Sequence, residues 1–344
     1  MEKTDIKSLN YQETENFILG LGEKKFRAKQ IYQWMHEKCV SSFQDMTNIS
    51  EKLRTRLKEV CRFTSLKTVT VQTSKLDGTR KYLFELEDGN RVESVLMRYK
   101  HGNSVCISSQ VGCRMGCRFC ASTLDGLVRS LTPGEMLDQI YRIGEDTGER
   151  ISNVVVMGMG EPLDNYDNLI KFIEMLTDEH GLHISQRNLT VSTCGLVPRM
   201  RQLAERKFQI TLALSLHASS QEKREELMPV ARKYNIEEIL EACRYYFEKT
   251  GRRVTFEYSL VAGVNDTEQD ARRLADLIRG MNCHVNLIPV NPVKEREYVQ
   301  PKARKVRDFQ NKLEKYGINV TIRREMGRDI DGACGQLRKR YRER

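Results

Sequence analysis

From about residue 104 onward the chain alternates between short β-rich runs and longer amphipathic stretches, and this alternation constrains the fold more than any other feature. Residues 104–108, 153–157, 188–192, 210–216, 254–260 and 284–288 read as strands. Helical stretches fill each gap, as parallel strands require, because their crossovers need a dozen or more residues. One helix has a clear start, with Thr132 as N-cap, Pro133 in the first turn and Glu135 completing a capping box. Another carries Val306, Phe309, Leu313 and Tyr316 on one face and stops at Gly317. Six such units predict an α/β fold, a parallel sheet curled into an incomplete (β/α)6 barrel over residues 100–336, with an added strand near 318–322. Upstream, residues 1–62 read as a small helical module, with Ala28, Ile31, Trp34 and Met35 on one apolar face and Leu53, Leu57 and Val60 on another. Residues 63–99 form a β-rich connector, with period-two alternation from Lys67 and turn signals at Asp77-Gly78 and Asp88-Gly89.

In such a barrel the site lies at the C-terminal ends of the strands, and the polar motifs of this chain fall there. Directly after the first strand stand Cys113, Cys117 and Cys120, spaced Cys-x3-Cys-x2-Cys, with no fourth cysteine or histidine close behind. A structural metal site closes its coordination shell. Three thiolates can instead hold three corners of a [4Fe–4S] cluster and leave one iron open. Gly112 and Gly116 let the loop bend, and zinc with a distant fourth ligand is the competing reading. Met157-Gly-Met-Gly-Glu-Pro162 ends the second strand, with Gly158 and Gly160 open to close approach of a ligand and Glu161 suited to an ammonium group. Val191-Ser-Thr-Cys-Gly195, Ser215-Leu-His217 and Asn286-Leu-Ile-Pro-Val-Asn-Pro292 end later strands.

The 344 residues contain no apolar run near the ~18 residues a membrane span requires. Residues 1–10 are too polar for a secretory signal, so the ten cysteines read as reduced thiols in a cytoplasm. The net charge of +10 is partly concentrated at the end of the chain, in Arg323, Arg324, Arg328 and the basic tail 337–344. A basic segment with an interleaved tyrosine suits a phosphate backbone, or is simply a solvated tail.

Together these motifs resemble the radical S-adenosylmethionine (SAM) enzymes. The stretches Val105–Cys120, Met157–Pro162, Leu214–His217 and Asp329-Ile-Asp-Gly-Ala-Cys-Gly-Gln336 narrow the resemblance to the RNA methyltransferases of the RlmN group. That group modifies carbon 2 of adenine in 23S rRNA and tRNA; the sister group Cfr methylates carbon 8 of the same rRNA adenine. Gln110-Val-Gly-Cys113 and Ile288-Pro-Val-Asn-Pro292 are more similar to the carbon-2 group. The resemblance implies one [4Fe–4S] cluster on Cys113, Cys117 and Cys120. It also implies two SAM molecules per turnover, one as methyl donor and one as radical source. Gly160, Glu161, Ser192, Ser215, Leu216, His217 and Asn291 would line the SAM site.

By the same resemblance Cys334 carries the methyl group, and Cys106 resolves a transient protein–RNA adduct and ends in a disulfide with Cys334. Glu93 is matched to a proton acceptor, although a solvent-facing strand glutamate reads equally well from the residues alone. The partners implied are 23S rRNA, tRNA and a flavodoxin-type electron donor; the residues do not encode an oligomeric state, so a monomer is the default expectation, and no membrane association is expected. Cys39, Cys61, Cys194, Cys243 and Cys283 read as packing residues, with Cys194 near the SAM rim. Two other readings are a radical-SAM enzyme acting on a small molecule or peptide, and a zinc-stabilised RNA-binding protein.

Overall fold

The structure is a computed structural model that describes residues 3–291, 293 and 295–330. It begins with a short strand β1 (Thr4–Asp5), followed by helices α1 (Tyr11–Gly20), α2 (Lys25–His36) and α3 (Glu51–Val60). Strand β2 (Cys61–Arg62) then returns to pair in parallel with β1. Asn10 and Glu13 close a capping box at the start of α1. The module has its own core of Ile6, Ile18, Ala28, Ile31, Met35, Leu53 and Leu57, against which Trp34 is only partly buried. Val60, expected on the apolar face, is exposed at the last turn of α3. A buried polar seam attaches the module to the rest of the chain. Lys7 lies 2.5 Å from Asp138 with both side chains fully buried, and His36 meets the Tyr141 hydroxyl at 2.7 Å.

Strands β3 (Lys67–Thr73), β4 (Arg80–Glu85), β5 (Arg91–Tyr99) and β6 (Gly102–Cys106) form an antiparallel meander. The region expected as a separate connector therefore continues into the barrel sheet, because β6 pairs with β5 on one side and with the next parallel strand on the other. A hairpin, β7 (Gln110–Gly112) and β8 (Leu127–Ser130), follows, and then α4 (Pro133–Thr147). The remaining units are β9 (Ile151–Val156), α5 (Tyr166–Thr177), β10 (Leu189–Thr193), α6 (Val197–Glu205), β11 (Thr211–Ser215), α7 (Gln221–Leu227) and α8 (Ile236–Thr250). They end with β12 (Val254–Leu260), α9 (Glu268–Leu277), β13 (Cys283–Pro289), α10 (Ala303–Lys315) and β14 (Val320–Ile322).

One sheet of ten strands runs β14-β13-β12-β11-β10-β9-β6-β5-β4-β3, parallel from β14 to β6. Its edges β3 and β14 do not pair, so the barrel stays open. α4 starts as its sequence predicts, with the Thr132 side chain accepting from the Glu135 N–H and the Glu135 carboxylate accepting from the Thr132 N–H. Gly317, at φ 76°, follows the end of α10 in a left-handed conformation that favours glycine. Val105, Val154, Val191, Leu212, Leu214, Phe256 and Val285 supply the buried strand side of the main core. No helix among the described residues is long and apolar enough to cross a membrane.

Candidate active site

Hairpin β7–β8 carries the three-cysteine loop between its strands. Gly112 has φ 78°, and a Cβ there would stand 2.0 Å from the Gly126 carbonyl, so only glycine lets the two strands close. The Cys113 N–H donates to that same carbonyl at 2.9 Å. Thr123 Oγ1 donates to the carbonyls of Cys117 and Cys120 at 2.9 and 3.0 Å, and the Arg118 N–H donates to Leu227 O at 2.9 Å. The loop is thus fixed from both sides. Burial pushes the Cys113 thiol up to about 12 and raises those of Cys117 and Cys120. Left to themselves these thiols stay protonated, and a metal centre supplies the charge that ionises them.

The three cysteines line a cavity of about 190 Å³ together with Gly160, Glu161, Ser192, Cys194, Ser215 and His217. Gly158 and Gly160 also border it, but their primary task differs from the one expected. A Cβ on Gly158 would meet the Ile107 carbonyl at 2.6 Å, and one on Gly160, at φ 106°, would meet Gln110 Cβ at 2.6 Å. The glycines therefore seat this turn on the backbone of 107–110, which brings Glu161 beside the cysteine loop. Glu161 is buried, and its carboxylate accepts from the Cys194 N–H at 2.8 Å and the Leu163 N–H at 3.1 Å. Burial raises its carboxyl above the ordinary range, so an ammonium group placed there would restore the charged form.

Ser192 and Ser215, at the ends of β10 and β11, face each other at 3.4 Å. His217 holds φ 56°, a left-handed conformation unusual for a non-glycine residue. Its Nδ1 accepts from the Ser259 N–H at 2.9 Å, which leaves Nε2 to carry the proton of the neutral ring. Burial lowers its pKa to about 3, so the ring is neutral near pH 7. Phe119 packs edge-on against it, with ring centroids 4.9 Å apart. Two expected residues lie elsewhere. The Leu216 side chain is fully buried in the main core, because the chain turns inward there, and Asn291 borders a second, larger cavity.

That second cavity, about 470 Å³, is lined by Glu93, Cys106, Asn291, Arg323, Arg324 and Ile330 among others, and it shares Met157 and Gly158 with the first. The two cavities therefore meet at one turn. Val95 pairs with both Lys81 and Cys106 across the meander, so Lys81, Glu93, Val95 and Cys106 share a sheet face. Glu93 does not face solvent. It is 2% exposed and paired with a fully buried Lys81 at 2.8 Å. The Cys106 thiol is raised by burial, while the positive charges of Arg323 and Lys81 act in the opposite direction. Cys334 and the basic tail lie outside the described residues.

Comparison with known proteins decides the family. Residues 4–63 match the family described as "Ribosomal RNA large subunit methyltransferase N-terminal domain", and residues 107–278 match "Radical SAM superfamily". A protein of Lachnospira eligens named "Probable dual-specificity RNA methyltransferase RlmN" is 69% identical over 340 residues, covering 99% of this chain and 97% of its own. The chain belongs to the RlmN family. It is a radical-SAM RNA methyltransferase. A second relative of the same name, from Lachnoclostridium phytofermentans, is 60% identical and covers 100% of this chain and 96% of its own. A crystal structure of a radical SAM methyltransferase from Sphaerobacter thermophilus superposes with a TM-score of 0.93 at 41% identity, covering 97% of this chain and 98% of that one.

RlmN membership implies SAM and a [4Fe–4S] cluster, and the donor set of the first cavity fits both. Among the described residues no group of three or more His, Cys, Asp or Glu is gathered tightly enough to hold a single metal ion. A cubane differs, because it takes its thiolates at separate corners. Two residues of the site escaped sequence reasoning. Gln110 accepts from the Glu161 N–H at 2.9 Å and donates to Asp164 at 3.1 Å, so it fixes the turn that carries Glu161. Lys81 is the other; its alternation with Glu93 becomes visible only once β4 and β5 are paired. Cys194, expected as a packing residue near the rim, lines the cysteine cavity.

Proposed function

We propose that this enzyme methylates carbon 2 of adenine in 23S rRNA and in tRNA, through an S-methylcysteine at Cys334 and a transient protein–RNA adduct resolved by Cys106. The observation that carries this reading is the junction of two cavities at Met157 and Gly158. One is bordered by Cys113, Cys117, Cys120 and Glu161, and the other by Cys106 and Glu93. Cys113, Cys117 and Cys120 would hold the cluster with SAM beside it, and together these would supply the electron and the one-electron chemistry needed to take hydrogen from the methyl group. Carbon 2 is an electron-poor amidine carbon, so simple displacement on a SAM methyl is closed to it and radical addition is open.

The chain's own groups do the rest. Glu161 holds the SAM ammonium, with Gly160, Ser192, Ser215 and His217 around the ligand. Ile330, the last described residue, borders the Cys106 cavity, and Cys334 follows it four positions later in the sequence. After the methylene carbon joins carbon 2, Glu93 or Cys106 takes the carbon-2 proton, and the one unpaired electron of the adduct would return to the oxidised electron carrier held by Cys113, Cys117 and Cys120, leaving a closed-shell thioether. The Cys106 thiolate then attacks the Cys334 sulfur. A Cys106–Cys334 disulfide forms, the sulfur–methylene bond breaks, and the methylene takes a proton to become the methyl group. Two SAM molecules are used per turnover.

An adenine reaches the cavity only after leaving its stack. Arg323, Arg324 and Arg328 at the cavity and the helical module 1–62 are suited to the flanking phosphates. The relatives' printed dual specificity supports two RNA substrates. The same reading takes a flavodoxin-type electron donor and a monomer working in the cytoplasm, where the disulfide is returned to thiols. The test is Cys106→Ala, which should trap a covalent protein–RNA species after one turnover, visible as a shifted band sensitive to nuclease. Clean release of methylated RNA by that variant contradicts the assignment.

A further inference from the structure

Arg224, in α7, is the largest fully buried side chain of the protein, and nothing in the reaction above uses it. Its guanidinium donates to three backbone carbonyls, Leu216 at 3.2 Å, Cys194 at 2.6 Å and Ser215 at 3.3 Å. Its Nη1 is buried with no hydrogen-bond partner among the described residues. It forms no ion pair there either; the ionisable groups that act on it most are the thiols of Cys194, Cys117 and Cys243. A buried charge without a partner costs several kcal/mol, and carbonyl dipoles offset only part of that. Arginine cannot escape by losing its proton. The protein keeps a full positive charge here.

The surroundings say what that charge faces. Gly195 lies against the guanidinium: a Cβ there would be in ordinary contact with Nη2 at 3.5 Å, and would crowd Ile239 Cδ1 at 2.9 Å. Leu227 and Met228, just beyond Arg224, pack with Cys194 against Met115, Cys117 and Phe119 of the cysteine loop. Pro229 touches the position of the Gly116 Cβ at 3.5 Å. The segment that follows Arg224 therefore packs against the cysteine loop at Met115–Phe119. A [4Fe–4S] core with three thiolates is already anionic when oxidised and gains a further negative charge when reduced.

We propose that Arg224 is the counter-charge of the cluster, a buried cation that favours the reduced state and so raises its reduction potential. This rests on the assignment of the cluster to Cys113, Cys117 and Cys120. Arg224 acts through the cluster and touches no substrate, so it is a positioning residue with an electrostatic effect. Cluster potentials respond to nearby charge and burial.

The experiment is an EPR-monitored redox titration, without SAM, of the anaerobically reconstituted enzyme and three variants. Arg224→Gln should lower the reduced-to-oxidised ratio at a fixed poise about tenfold, which is 59 mV for a one-electron couple. Arg224→Lys keeps the charge and should stay near the wild-type value. Cys243→Asp keeps the arginine but introduces an acid at a buried position whose thiol acts electrostatically on Arg224, so the cluster potential should fall as well. This variant decides the matter if Arg224→Gln cannot retain iron. Equal potentials in wild type, Arg224→Gln and Cys243→Asp overturn the proposal, and so does an equal shift in Arg224→Lys and Arg224→Gln. A wild-type protein that assembles no [4Fe–4S] cluster overturns the cluster assignment itself, and the role of Arg224 with it.

Discussion

Glu161 combines two demands that conflict unless a cation is present. Burial opposes its charge, yet two backbone N–H groups are aimed at its carboxylate. A bound ammonium resolves the conflict. Glu161→Gln removes that charge, and hydrogen bonds to charged groups contribute about 1.5–3 kcal/mol. SAM affinity of the cluster-loaded variant should therefore fall roughly 10- to 100-fold by equilibrium binding; wild-type affinity would remove Glu161 from the ligand site. The residues most legible in the sequence were the cysteines, because a thiolate spacing encodes its chemistry locally. Lys81, and the burial of Glu93 against it, were not legible. A lysine in a strand ordinarily faces water, and only the pairing of β4 with β5 shows that both are buried and joined at 2.8 Å.

At the level of elements, local signals were readable where one segment carries them whole. The capping box of α4 is one such signal, and β12 runs over the residues its pattern predicts. Thr132→Ala should cost about 1 kcal/mol in urea denaturation, with Thr132→Ser close to wild type. An unchanged midpoint in the alanine variant would mean that packing alone starts α4. Hairpin β7–β8 escaped because its strands are only three and four residues long and carry a register shift. The union of meander and barrel also escaped. It depends on β6 taking an antiparallel neighbour on one side and a parallel one on the other, which no local periodicity reports.

Across the whole molecule, two buried histidines make stability depend on pH. His36 and His217 each have a pKa lowered by burial from 6.5 to about 3. The unfolded chain binds these protons first. Their contribution is complete above pH 6.5 and is lost as pH falls toward 3, by about 1.4 kcal/mol per unit for each histidine. Urea midpoints should fall clearly between pH 7 and pH 5, and equal midpoints would contradict the neutral, buried state of both rings. His36 lies in the seam between the helical module and α4, so acid should loosen that attachment along with the rim of the cysteine cavity at His217.

The proposed reaction has one diagnostic product. The most direct measurement is mass spectrometry of nucleosides from 23S rRNA and tRNA lacking the modification, after incubation with anaerobically reconstituted enzyme, SAM and reductant. The account predicts 2-methyladenosine, absent when Cys334 is replaced by alanine. A yield of 8-methyladenosine, or SAM cleavage with no methylated adenosine, would contradict it.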